Sequence, residues 1–176
     1  MFNFLKKNSP SKKTATRFKC LKEKVFININ NQWILEDKTL SRALFYLIDK
    51  LNDDQKNQLL KEGQIIFIPV SGEYSCLVHQ VPNANVILLF PELIKLLKSV
   101  DNNRGLSILA HEFGHVFHQH YHRKVSTLES QIEADDFAFK AGFGHDLIEV
   151  LLGYNDIDSQ TRVSVLTSKI ISKEAP

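Results

Sequence analysis

The segment RGLSILAHEFGHVFHQHYH, residues 104–122, limits the fold more than any other stretch of the chain. Leu106, Leu109, Phe113, Val116 and Phe117 recur at helical spacing, so the segment predicts an α-helix with a broad apolar surface that other elements must cover. His111, His115, His118 and His122 fall at intervals of four, three and four residues, which stacks them along one side of that helix. His120 lies roughly 180° from His111 and belongs to another face. A row of histidines on a buried helix is either a metal site or a hydrated surface, and the residues between them decide which.

The rest of the chain supplies what would cover such a helix. KVFINI, residues 24–29, alternates like a short strand, and LEDKTLSRALFYLIDKL repeats Leu40, Leu44, Leu47, Ile48 and Leu51 at helical spacing. DDQKNQLLKE predicts a short helix stopping at Gly63. QIIFIPV, YSCLVHQ and NVILLF then predict three strands joined by SGE and VPNA, with hairpin pairing between them. From Pro91 the period becomes helical: PELIKLLKSV, the histidine segment, STLESQIEADDFAFKAG, HDLIEVLLG and SQTRVSVLTSKIIS. Strands followed by helices indicate an α+β fold, a small mixed or antiparallel sheet with helices packed on one side.

At 176 residues and 43% hydrophobic composition the chain can bury the core of one ordinary domain. Its 22 basic and 20 acidic side chains nearly balance, and much of the basic excess sits in the opening MFNFLKKNSPSKKTATRFK. Residues 1–20 are expected to be a basic, flexible leader and residues 21–176 a single domain. The balance elsewhere gives no nucleic-acid-binding face. Phe4 and Leu5 are too short an apolar run for a signal peptide, and NVILLFPELIKLL is interrupted by Pro91, Glu92 and Lys95, so no membrane span is expected. Cys20 and Cys76 lack paired spacing and fit a reducing compartment, which points to a cytoplasmic chain.

Within the histidine segment, HEFGH places His111 and His115 one helical turn apart, so both imidazoles can reach one Zn²⁺. Glu112 stands about 100° round the helix and can address a water that the metal has made acidic. A carboxylate there can take the proton as general base and pass it to a leaving amine. Those residues in that order are suited to hydrolysis of a peptide bond. His118 lies roughly 10 Å along the axis from His111, too far to share one zinc with it on a straight helix. His118 and His122 therefore line the cleft, bind metal weakly as a second pair, or form a hydrated surface.

PNANVILLFPELIKLLKSVDNNRGLSILAHEFGHVFHQH together with ESQIEADDFAFKAGFG resembles the gluzincin metallopeptidases, most closely the family of the heat-shock protease HtpX and the CAAX prenyl proteases. The resemblance runs from about Pro82 to Gly142, and the short pairing is also similar to that of ImmA/IrrE-type metallopeptidases. It implies a zincin-like, soluble domain that cleaves a peptide or protein substrate with Zn²⁺. It also implies that the third ligand is a glutamate four residues before the Asp of the second motif, with that Asp supporting a ligand histidine. Asp135 matches the Asp, so the ligand position falls on Gln131, which is not a carboxylate. Glu133 is the alternative.

On a helical wheel with Gln131 at 0°, Asp135 lies near 40° and Ala134, Ala138 and Phe139 complete an apolar arc. Glu133 lies near 200° with Glu129, Asp136 and Lys140, on what is expected to be the solvent face. The wheel favours Gln131 as third ligand or near-ligand, with Asp135 hydrogen-bonding a ligand histidine or coordinating directly. The expectation is a zinc-dependent metallopeptidase with NVILLF as the edge strand that pairs with an extended substrate. The alternative is a metal-binding regulatory or adaptor protein that keeps the fold with little or no activity.

Overall fold

The computed structural model describes residues 19–71 and 83–174. Four helices open it: α1 (Leu21–Phe26), α2 (Gln32–Glu36), α3 (Lys38–Lys50) and α4 (Asp53–Lys61). Two strands, β1 (Gln64–Pro69) and β2 (Ala84–Leu89), lie mid-chain, and α5 (Pro91–Leu97), α6 (Asn103–Phe117), α7 (Thr127–Lys140), α8 (Gly144–Leu151) and α9 (Ile157–Glu174) follow. The class is α+β, as the pattern predicts. Local chemistry sets several boundaries. Asp37 caps α3 by accepting from Thr39 and Leu40 N–H, and Asn52 and Gln55 form a reciprocal capping box at α4. Pro91 occupies the first turn of α5, where its missing N–H costs nothing.

The strand expected at residues 24–29 is instead the helix α1 followed by a 3-10 turn at Ile29–Asn31. Its alternation has another cause. Lys24 is buried, and its ammonium donates to the carbonyls of Leu59, Leu60 and Glu62 at the end of α4. Asn31 donates to Val25 and Ile65 carbonyls and accepts from Phe67 N–H. The segment thus docks beside β1 through side chains, without adding a strand.

β1 and β2 pair directly and in parallel, from Gln64 opposite Ala84 to Pro69 opposite Leu89. These are the first and third of the three expected runs; two successive hairpins would also leave them pointing the same way, but here they are direct neighbours with no strand between them. YSCLVHQ and Cys76 lie outside the described residues, as does the leader up to residue 18. Cys20 is exposed at the N-terminus of α1. No helix among the described residues is long and apolar enough to cross a membrane.

One apolar cluster joins α1 to α9 and both strands, with Leu47, Ile65, Leu97, Leu106, Phe113 and Ala138 fully enclosed. α6 runs through its middle and packs most extensively on α7. Gly114 permits that approach: a Cβ there would stand 2.7 Å from Ala134 Cα and 2.8 Å from its carbonyl oxygen, closer than any side chain tolerates. The helix carrying HEFGH is therefore pressed against the helix carrying the second motif at the level where both place polar side chains.

Candidate metal and catalytic site

His111 sits on the buried side of α6, and its Nδ1 lies 2.8 Å from Asp135 Oδ1 on α7. Burial works to raise the Asp135 carboxyl, but bonds from Arg162 and His111 outweigh it and hold the group below its ordinary value. Arg162, on α9, grips both oxygens of Asp135 at 2.8 Å. An ionised carboxylate only accepts, so His111 carries a proton on Nδ1, and in the neutral ring Nε2 is then the lone pair. This is how a metal-binding histidine is ordinarily held.

His115 Nε2 stands 3.1 Å from His111 Nε2, and the two rings meet at 87°. Ligand atoms roughly 2.0–2.1 Å from a tetrahedral zinc are themselves about 3.3 Å apart, so the pair has the separation that a shared ion requires. Burial, then the neighbouring His111 and His120, holds the His115 imidazole down to about 3, in the neutral form that can coordinate. The Gln131 amide reaches within 3.5 Å of His115 Nε2. A half-turn of that amide exchanges its nitrogen for its oxygen, the atom a cation would take. The donor set of two imidazoles backed by a carboxylate, with an amide at its edge, fits a zinc ion.

Glu112 opens on the other flank of α6, into a groove of about 920 Å³ along β2 that is walled by α5 and α8. Val86, Leu88, Leu93 and Ile108 make much of its lining apolar. Burial raises the Glu112 carboxyl from its ordinary value, which strengthens it as a proton acceptor. His111 is reached from a smaller cavity of about 240 Å³, which shares Ile108, Val150 and Tyr154 with the groove.

The later histidines are not arranged as expected. α6 ends at Phe117, where its apolar stripe also ends, and Gln119 takes a left-handed conformation with φ 54°. Its side chain donates to the Glu62 carboxylate at 2.8 and 2.9 Å, which anchors the turn. The reversal brings His120 back onto α6, with Nδ1 2.7 Å from His115 Nδ1 and Nε2 2.8 Å from Glu133 Oε2. His120 is thus beside the site and not on an opposite face, because the helix that would have carried it away has stopped. His118 stacks on His120 with rings 6° from parallel, and His122 is exposed.

Glu133 is half-buried, not solvent-facing: the turn folds over it, and Arg123 binds its carboxylate at 2.7 and 3.2 Å. The Arg123 bond, followed by that from His120, brings Glu133 down to about 2. Asp136 likewise pairs with Lys140 and with Lys169 of α9, while Glu129 and Lys140 remain exposed. His118, His120 and Glu133 converge closely enough to hold an ion. Imidazole lone pairs lie in the ring plane, however, so two stacked rings do not aim at one point, and Glu133 already has a cation in Arg123.

Two residues of the site escaped the sequence reading. Arg162 falls three residues after buried Ser159 and four before buried Leu166, so its place on the buried face of α9 was open to discovery from spacing. His120 had only the loss of apolar residues after Phe117 as a sign that the helix ends there.

A family model described as peptidase family M48 matches residues 65–167, from β1 into α9, more than half of the chain. No curated protein and no solved structure gave a significant match.

Proposed function

The chain belongs to peptidase family M48, and from that premise we propose that it hydrolyses peptide bonds with a zinc held by His111 and His115, Glu112 being the general base. One observation carries the reading: two imidazole Nε2 atoms 3.1 Å apart on α6, with Asp135 behind His111. When bound, zinc acts as a Lewis acid that makes water nucleophilic near neutral pH and polarises the scissile carbonyl. The remaining work falls to side chains. Asp135 and Arg162 keep His111 in the coordinating tautomer, and Gln131 completes the donor set through its amide oxygen. Glu112 takes a proton from the attacking water and returns it to the leaving amine, which its burial-raised affinity for protons favours. The groove along β2 accommodates an extended peptide with apolar side chains.

A second reading rests on Gln131. A neutral amide attracts zinc less than a carboxylate does, which suits a regulatory or adaptor protein that binds metal with little turnover. The test is metal analysis of purified protein, followed by cleavage of a mixed peptide library with and without chelator. The peptidase reading expects about one zinc, chelator-sensitive cleavage, and loss of cleavage with retention of zinc in Glu112→Gln. Zinc without cleavage in the parent supports the regulatory reading. Cleavage by Glu112→Gln at the parental rate removes Glu112 as base.

A further inference from the structure

His111 has a carboxylate behind it, whereas His115 has another histidine, and the polarity of the chain of bonds beyond that histidine can be followed from its far end. Arg123 donates to both oxygens of Glu133. A carboxylate so engaged only accepts, so the 2.8 Å contact with His120 requires the proton to sit on His120 Nε2. In neutral His120 the other nitrogen, Nδ1, is then a lone pair. It faces His115 Nδ1 at 2.7 Å, a hydrogen bond that needs one proton, and His115 must supply it. With its proton on Nδ1, His115 presents Nε2 unprotonated.

The same accounting from Asp135 leaves His111 Nε2 unprotonated. With both rings neutral, as metal binding requires, two carboxylates in separate surroundings thus aim two lone pairs at a common place, 3.1 Å apart. Two acceptors facing each other repel, and a cation between them relieves that.

We infer that His120 is a positioning residue: with Glu133 and Arg123 behind it, it fixes the tautomer and ring orientation in which His115 meets the metal. This deepens the reading above, since it rests on His111 and His115 holding the ion. Glu133, which the helical wheel placed in solvent, acquires through His120 the role that Asp135 has directly.

The test uses the full chain and measures affinity for Zn²⁺ by competitive chelator titration, together with the visible absorption of the Co²⁺-substituted protein. His120→Leu keeps the bulk but removes the acceptor, and should bind Zn²⁺ roughly 10–100-fold more weakly, with an altered Co²⁺ spectrum. His120→Asn returns an oxygen near the Nδ1 position and should recover most of the affinity. A metal-free thermal melt of each variant separates positioning from folding: the two should melt alike in excess chelator while differing in metal affinity. If both variants bind Zn²⁺ like the parent, or if both lose it equally, the inference is overturned. His111→Ala distinguishes this from failure of the underlying reading: if it keeps parental affinity, the metal is not where that reading puts it.

Discussion

Gln131 is the residue at which this chain departs from the carboxylate that its resemblance implies, and its amide stands 3.5 Å from His115 Nε2. Gln131→Glu preserves length and adds a negative charge facing the ion, so Zn²⁺ affinity should rise by about tenfold or more, equivalent to ~1.4 kcal/mol. Asp135→Asn has the opposite sign. It keeps an oxygen for His111 Nδ1 but removes the charge that Arg162 and His111 share, and affinity should fall roughly 10–100-fold. Asn is the better probe than Ala, because it keeps the bulk and the one oxygen that both His111 and Arg162 meet, whereas Ala leaves both without an acceptor. Chelator competition on these variants measures both effects, and equal affinities in parent, Gln131→Glu and Asp135→Asn would place the ion away from α7. The His111, Glu112 and His115 cluster could be read from spacing because all three lie on one regular helix. His120 could not, because its position depends on a left-handed residue, Gln119, whose conformation is stabilised by Glu62, a partner 57 residues away.

At the scale of elements, α6 and α7 were legible because their apolar residues keep the helical period, and the strands β1 and β2 because theirs are compact apolar runs. Which strands are neighbours was not legible, since that depends on the path between strands and not on either strand's composition. α1 was misread for a related reason. Lys24 is polar in the sequence yet buried in the fold, its charge met by three carbonyls at the end of α4, and a pattern of apolar and polar letters does not record such compensation. Gly114 gives the element scale its prediction. The methyl group of Gly114→Ala would meet the backbone of α7 at Ala134, which has no rotamer with which to yield, so the helices must separate. Overpacking of this kind costs about 1–3 kcal/mol. Separation would also withdraw Gln131 and Asp135 from the histidines, so metal affinity should fall with stability. Denaturant unfolding and Zn²⁺ titration of the variant measure the two losses; unchanged values for both would mean that the contact at Ala134 does not set the helix spacing.

Across the whole molecule, the site joins elements that are distant in sequence. α6 supplies His111 and His115, α7 supplies Gln131 and Asp135, and α9 holds Asp135 through Arg162, whereas α1 to α4 precede the family-matched segment, Lys24 tying α1 to the end of α4 and Asn31 reaching β1. An ion bound by the folded chain and not by the unfolded one stabilises the fold by mass action, by about 2.7 kcal/mol at a hundred times Kd. For a protein of this size each kcal/mol moves Tm by roughly 2–4 °C, so saturating Zn²⁺ should raise Tm by about 5–11 °C over the chelated protein. His111→Ala and His115→Ala should lose that increment. Its distribution is a sharper expectation than its size: hydrogen exchange should slow most in α6, α7 and α9, where the ion and its supporting groups cross-link helices, and least in α3 and α4, which carry neither a ligand nor a side chain bonded to one. A Tm unaffected by Zn²⁺ would leave the histidines without a resident ion. A rise that survives both histidine substitutions, or protection concentrated in α3 and α4, would place the ion elsewhere on the molecule.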